Sequence, residues 1–279
     1  MGHGMAANLI KAGHEVTLYN RSPEKAAGLG GAIAASPAQA AQAAEVLFTM
    51  VAHDAALREL AYGERGFIAS LPAGAIHVSC STISVACAEA LTQAHRAAGQ
   101  RFVSAPVFGR PEAAAAGKLF IAAAGAPADI AACQPLFDVL AQRSFVLSDV
   151  PARANLVKLS GNFLIAAVIE SLGEAMALVG KGGVDQRAYL DLLTSTLFSA
   201  PVYKTYGNLI LEQNFEPAGF AAPLGQKDIR LVLEAGEGLN VPLPLASLLR
   251  DRFLTLLAQG GEKLDWSAIG RLAARDAGL

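Results

Sequence analysis

Cysteine is scarce in this sequence: three in 279 residues, Cys80, Cys87 and Cys133, with no Cys-x-x-Cys pair and no histidine at ligand spacing. That excludes a disulfide framework, offers no metal site, and fits a reducing compartment. An excess of one charge is lacking as well. Lys plus Arg number 22 and Asp plus Glu 24, a net charge of −2, so neither nucleic acid nor an anionic membrane is indicated and a small-molecule partner is expected. Unbroken hydrophobic runs are also missing, although 53% of the residues are hydrophobic and the mean hydropathy is +0.38. The longest candidate, residues 163–179, is interrupted by Glu170, Ser171, Gly173 and Glu174. A membrane span needs about 18 or more apolar residues in a row, so a buried helix between domains is the better reading. The opening residues show no basic stretch leading into an apolar core and a cleavage site, and a cytoplasmic location is expected. No repeat of about 20 to 50 residues appears, which argues against a solenoid.

What is present is a change of rhythm. Up to about residue 150, alanine-rich helical stretches alternate with short β-branched or aromatic runs: EVTLYN, AEVLFTM, AIHVSCS, RFVSAP, KLFIAAAG and RSFVLSD. This alternation predicts a parallel sheet with crossover helices. Beyond Pro151 no convincing strand remains. A long helix is expected from about residue 152 to about 181, followed by helices broken at Gly183, Pro201, Pro217, Pro223, Pro242 and Gly260. The length also exceeds that of a usual single domain, and we read two domains: residues 1–150, α/β, and residues 151–279, all-helical and carrying substrate and dimer contacts. The apolar stretch Val241 to Leu249 in the second suggests a homodimer or homotetramer.

Dinucleotide-binding folds pass from a first strand into a glycine-rich turn whose amides cradle the pyrophosphate, and a residue about 20 positions later reads the ribose. Here the text opens Met1-Gly2-His3-Gly4-Met5 and runs through a helical AANLIKAGHE to the strand VTLYN. The first strand is not in this text, and Gly2, 19 positions before Arg21, fits the last glycine of G-x-G-x-x-G. The second strand closes on Asn20-Arg21-Ser22, with Lys25 in the same turn and no acid where NAD-binding folds place one. A guanidinium fork, a hydroxyl and an ammonium suit a 2′-phosphate, so NADP is preferred over NAD, which stays possible. The loop Met50-Val51-Ala52-His53 follows another strand and lines the cofactor by its backbone, with His53 read as a loop polar residue. Ser81 and Thr82 follow the next strand, Thr82 being able to cap the helix that starts near Val85.

The segment MGHGMAANLIKAGHEVTLYNRSPEK resembles the β-hydroxyacid dehydrogenase family, which includes 3-hydroxyisobutyrate dehydrogenases and the glyoxylate and succinic semialdehyde reductases. The resemblance implies an α/β Rossmann-type dinucleotide-binding domain, related to that of 6-phosphogluconate dehydrogenase, followed by an all-α domain with a long interdomain helix. It also implies an NAD(P)-dependent oxidoreductase interconverting a small β-hydroxyacid and its semialdehyde or keto acid. Thr82 is then expected beside the nicotinamide ribose. The text Ser104-Ala105-Pro106-Val107-Phe108-Gly109-Arg110 looks like the family's substrate loop, usually D-A-P-V-S-G-G. It departs in three places: Ser104 for Asp, Phe108 for the substrate Ser, Arg110 for the second Gly. Arg110 could bind a carboxylate by its fork or turn to solvent, and Phe108 narrows the pocket or favours an apolar substrate.

The strongest chemical signal is Ala154-Asn155-Leu156-Val157-Lys158-Leu159-Ser160-Gly161-Asn162 at the front of the long helix. Four residues apart, Lys158 and Asn162 share a helical face among Leu156, Leu159, Phe163 and Leu164. Desolvation and a positive nicotinamide nearby both favour the neutral amine, which can take a proton. In the family the Lys of this K-x-x-x-N pattern is the proton donor and acceptor, and the Asn orients the substrate oxygen. Gly161 stands where the family has a further Asn. Finally, Phe220 with Leu224-Gly225-Gln226-Lys227-Asp228 resembles F-x-x-x-L-x-x-K-D, whose Lys meets the nicotinamide end of the cofactor, Asp228 then fixing Lys227 by a local ion pair. Two other readings stand beside this one. An imine reductase shares the fold but usually lacks the Lys, and a dinucleotide-binding scaffold without turnover would not need both Lys158 and Asn162.

Overall fold

Strand and helix alternate through the first 148 residues and then only helix remains. The computed structural model describes residues 1–279. In chain order the first part comprises α1 (Gly2–Lys11), β1 (Thr17–Leu18), β2 (Ala32–Ile33), α2 (Pro37–Ala41), β3 (Val46–Thr49), α3 (Asp54–Tyr62), β4 (Ile76–Ser79), α4 (Val85–Ala97), β5 (Arg101–Ser104), β6 (Val107–Phe108), α5 (Pro111–Ala115), β7 (Leu119–Ala124), α6 (Pro127–Leu140) and β8 (Ala141–Ser148). The second comprises α7 (Ala152–Lys181), α8 (Gln186–Ser195), α9 (Pro201–Leu211), α10 (Ala222–Gly238), α11 (Pro244–Ala258), a 3-10 helix (Trp266–Arg271) and α12 (Leu272–Asp276).

The chain forms two compact units, residues 1–158 and 159–279. Their boundary falls inside α7, later than the change of rhythm at residue 150, because the start of α7 belongs to the packing of the first unit: Ala152 is part of a buried cluster with Leu57, Phe67, Ile83, Leu91 and Phe102.

In the first unit β3, β4 and β5 are parallel neighbours. β7 is antiparallel to β5 and to β6, and β8 lies parallel to β7. The sheet is therefore mixed where the alternation predicted a parallel one. The reason is local: β5 leads into the two-residue β6 and the five-residue α5, and the chain folds back without a full crossover helix. β1 and β2 form a separate parallel pair. The alternation of side chains distributes two cores over the sheet. Ile76, Val78, Val103 and Ile121 pack with Met5 and Leu9 of α1 and Ile130, Cys133 and Phe137 of α6, whereas Phe102 packs on the other cluster. Complete burial of a side chain such as Phe137 contributes roughly 1.5–3 kcal/mol. Gly4 is a close-approach position: a Cβ there would lie 2.8 Å from the Ala115 amide nitrogen, so its absence lets α1 meet α5, where Asn8 Nδ2 also donates to the Ala114 carbonyl at 2.8 Å.

Behind the sheet runs a buried polar chain with one direction. Gln100 Nε2 donates to the carbonyls of Ile68 at 2.8 Å and Leu71 at 2.6 Å, which leaves Gln100 Oε1 to accept from His95 Nδ1 at 2.8 Å. His95 Nε2 then accepts from His77 Nδ1 at 2.8 Å, and His77 Nε2 accepts from Thr49 Oγ1 at 2.8 Å. Every donor meets one acceptor only if both imidazoles are neutral. Burial holds His77 well below its ordinary range, with His95 adding to the effect. Burial also lowers His95, against the opposing effect of its hydrogen bond to Gln100. Below about pH 6.5 the unfolded chain takes up protons that the folded one refuses, so stability is complete above that pH and falls as pH drops, by at most about 1.4 kcal/mol per pH unit for each ring. The urea midpoint is expected to decline from pH 6.5 towards 5; a midpoint flat over that range would contradict a neutral pair.

The helical unit is closed by Ile169, Leu172 and Met176 of α7 against Ile229, Leu249, Phe253, Trp266 and Ile269. Gly173 is required here, since a Cβ would stand 2.1 Å from the Gly270 carbonyl oxygen, closer than any packed atom allows. Arg252 bridges Glu170 of α7 at 2.5 Å and Asp276 of α12 at 2.8 Å. Prolines mark helix starts, Pro201 in α9 and Pro223 in α10, where a missing amide hydrogen costs nothing. No strand follows Ser148.

Candidate active site

The carboxyl ends of β3 and β4 are tied together. Val51 N donates to Ser81 Oγ at 2.8 Å, which fixes the Met50-Val51-Ala52 turn against the loop carrying Thr82. Gly2, in the first turn of α1, sits against Met50, and a Cβ on it would meet Met50 Cβ at 3.5 Å. His53 is the N-cap of α3, its Nδ1 accepting from Ala56 N at 3.1 Å, which gives it a local structural duty. The cap of α4 is Ser84, not Thr82: Ser84 Oγ accepts from Cys87 N at 2.9 Å, and Ser84 Oγ also donates to Asp54 Oδ2 at 2.5 Å. Thr82 lies two residues too early to cap, and its half-buried side chain belongs to the loop. At the end of β1, Asn20 Oδ1 accepts from Ser22 N at 2.9 Å and shapes a turn. Arg21 and Lys25 stand exposed around that turn.

Lys158 is 8% exposed, and its Nζ lies 4.0 Å from the centroid of the Phe108 ring. Such a cation–π contact is worth about 0.5 to 2 kcal/mol. Phe108 pairs with Phe120 across β6 and β7. With Phe120, Phe145, Leu147 and Val157 it lines an apolar cavity of about 320 Å³. Gly109 is exposed, and Arg110 is half-buried at the N-cap of α5, so it is not simply turned to solvent.

One residue of the Lys158 motif to which sequence reasoning assigned no role lies three positions before the lysine. Asn155 is 0% exposed, and neither its Oδ1 nor its Nδ2 has a partner. An unpaired buried polar group costs about 1–3 kcal/mol. Its spacing, i−3 from the lysine, was visible in the sequence, but its burial without a partner was not.

In the helical unit Asn162 is buried, and its Nδ2 donates to Asp228 Oδ2 at 2.5 Å. Lys227 Nζ lies 2.9 Å from the other carboxylate oxygen of Asp228. Asp228, fully buried, thus orients both an amide and an ammonium.

Parallel strands with loops at their carboxyl ends, followed by a long helix and an all-helical unit, outline a dinucleotide-binding fold. Residues 1–148 match the model of the NAD binding domain of 6-phosphogluconate dehydrogenase. Residues 152–273 match that of the NAD-binding domain of NADP-dependent 3-hydroxyisobutyrate dehydrogenase. The chain is 40% identical over 272 residues to an uncharacterized oxidoreductase, YfjR, of Bacillus subtilis, covering 96% of this chain and 95% of that one. It is 30% identical to glyoxylate/succinic semialdehyde reductase 1 of Arabidopsis thaliana, covering 96% and 93%. Among solved structures, the 3-hydroxyisobutyrate dehydrogenase YgbJ of Salmonella typhimurium superposes with a TM-score of 0.87 at 26% identity, over 97% of this chain and 95% of that one. The chain belongs to the β-hydroxyacid dehydrogenase family and is an NAD(P)-dependent oxidoreductase acting on CH–OH donors.

Proposed function

We propose that this enzyme is an NADP(H)-dependent reductase of a small aldehyde or keto acid, running in reverse as a β-hydroxyacid dehydrogenase, with Lys158 as its proton donor and acceptor. The observation that carries this is the burial of Lys158 at 8% exposure against the Phe108 ring. The bound dinucleotide supplies the hydride. Lys158 gives its proton to the oxygen of the reduced carbonyl, and Asn162, held by Asp228, orients that oxygen. Lys227 meets the nicotinamide end of the cofactor, Met50, Val51, Ala52 and Thr82 line its middle, and Gly2 stands at its pyrophosphate. Asn20, Arg21, Ser22 and Lys25 receive the 2′-phosphate; the exposure of both cations supports this. Gly109 and Arg110 take the substrate carboxylate, and Phe108 forms an apolar wall.

That wall favours one second reading, an imine reductase, because the cavity beside Phe108 offers phenylalanines, aliphatic side chains and no charge. NADPH consumption with a panel of semialdehydes, keto acids and cyclic imines separates the two. Faster turnover of cyclic imines than of every carbonyl compound would displace the dehydrogenase reading.

The enzyme is placed in the cytoplasm, a reading its three buried free cysteines support. It acts as a homodimer built through the helical unit, where Val241, Leu245 and Leu248 are exposed. Light scattering at micromolar concentration is expected to return twice the chain mass, or four times if dimers pair; a monomer would remove the idea.

A further inference from the structure

We propose that Asn155 holds the carboxamide of the nicotinamide ring through paired amide–amide hydrogen bonds. The buried polar side chains around it set the contrast. In the same unit Gln100 uses both ends of its amide, His77 and His95 use every ring nitrogen, and Ser84 both accepts and donates. Asn155, equally buried, uses neither end. Buried amides are kept in proteins when something satisfies them, and nothing in this chain does.

Placement points to the ligand. Asn155 lies at i−3 from Lys158 and at i+3 from Ala152 on α7, so the three fall towards one side of the helix. Ala152 packs in the cluster that holds Phe102. Strand alternation puts Ser104 on the same sheet face as Phe102, and Ser79, its cross-strand partner, on the same face as His77. The hydroxyls of Ser79 and Ser104 are likewise fully buried and without partners. Ser79 and Ser104 end β4 and β5, where folds of this kind bind their cofactor, and Asn155 stands one turn along α7 from the Ala152 that packs in the Phe102 cluster. A ligand that satisfies an Asn amide completely must itself offer an acceptor and an N–H donor side by side. A primary carboxamide does so, and the cofactor class of this family carries one on the ring that exchanges hydride, next to where Lys158 exchanges its proton. The assignment rests on that cofactor class and on Lys158 as proton donor. It is indifferent to the choice between NAD and NADP, which share the carboxamide.

The test compares binding of NADP⁺ with binding of its 3-acetylpyridine analogue, in which a methyl group replaces the amide nitrogen, by calorimetry on the full chain. The native protein is expected to bind NADP⁺ about 3- to 10-fold more tightly than the analogue, since the analogue leaves Asn155 Oδ1 unpaired. Asn155→Leu is expected to weaken NADP⁺ by a similar factor and to bind the two alike. Asn155→Asp keeps the shape and only accepts, so it weakens NADP⁺ yet keeps the preference over the analogue; it serves if the leucine variant does not fold. Equal binding of the two by the native protein overturns the proposal. So does an Asn155→Leu variant that is more stable to heat and discriminates as the native protein does, the result expected if Asn155 faces only a trapped water. Lys158→Met separates the two assignments. It should leave the binding ratio untouched, so a normal ratio with undiminished turnover would sink the proton-donor reading and leave Asn155 in place.

Discussion

Lys158→Met is expected to lower kcat by about 100-fold to 10,000-fold while leaving the affinity for NADPH close to native, the loss being that of a general acid. The side chains are similar in length and methionine has no proton to give, so the change isolates proton transfer from packing. The site should tolerate the swap: Lys158 is 8% exposed, and a thioether beside the Phe108 ring replaces a cation–π contact with a favourable sulfur–aromatic one. A rise in KM alone would mean that the lysine only binds substrate. The pH profile of kcat should lose the ionisation belonging to the acid. Asn162→Ala should cost less, since Asn162 moves no proton, although the change also leaves the buried Asp228 carboxylate short of a donor. Near-native turnover by Lys158→Met on the true substrate would defeat the mechanism and bring the imine reductase forward, its proton donor lying elsewhere.

How much of this was readable beforehand depended on how local the cause is. The long helix was readable to its ends, Ala152 to Lys181, because Pro151 and the Gly182-Gly183 pair bracket an unbroken helical pattern. Each of the six strand-like runs contains an observed strand, since β-branched and aromatic residues between turn signals are a short-range property. The antiparallel course of β7 was not readable, because it depends on which distant strand it joins. The histidine chain was equally hidden. His77 sits in a strand and His95 in a helix, and only the tertiary fold sets their rings 2.8 Å apart. Assignment of the α4 cap to Thr82 failed by two positions, a matter of where the helix begins. For the candidate site, Lys158, Asn162 and the Lys227–Asp228 pair stood out as polar residues in recognisable patterns. Asn155 did not, because an asparagine on a helix is unremarkable until its burial without a partner is known.

Arg21→Asp is expected to shift the preference between cofactors towards NADH by on the order of 10- to 100-fold in the ratio of kcat/KM values, the scale of one or two charge-assisted hydrogen bonds. In the native chain the turn after β1 presents Arg21 and Lys25 to solvent, with Ser22 N anchored on Asn20 Oδ1 at 2.9 Å. Neither cation is engaged in an ion pair, so both are free to meet a dianionic phosphate. An aspartate at the same strand end reverses the logic. Its carboxylate can accept from both hydroxyls of an unphosphorylated ribose, and it repels the 2′-phosphate. Lys25 survives the exchange, so some attraction for NADPH remains and reversal need not be total. Because these groups are exposed, the native preference should shrink as salt is raised, and the variant should respond less. That dependence distinguishes a phosphate contact from a general change in the turn, which salt would not track. Native protein that binds NADH as tightly as NADPH at low salt would show that Arg21 reads no phosphate, and the 2′-phosphate site would have to be sought elsewhere on the nucleotide loops.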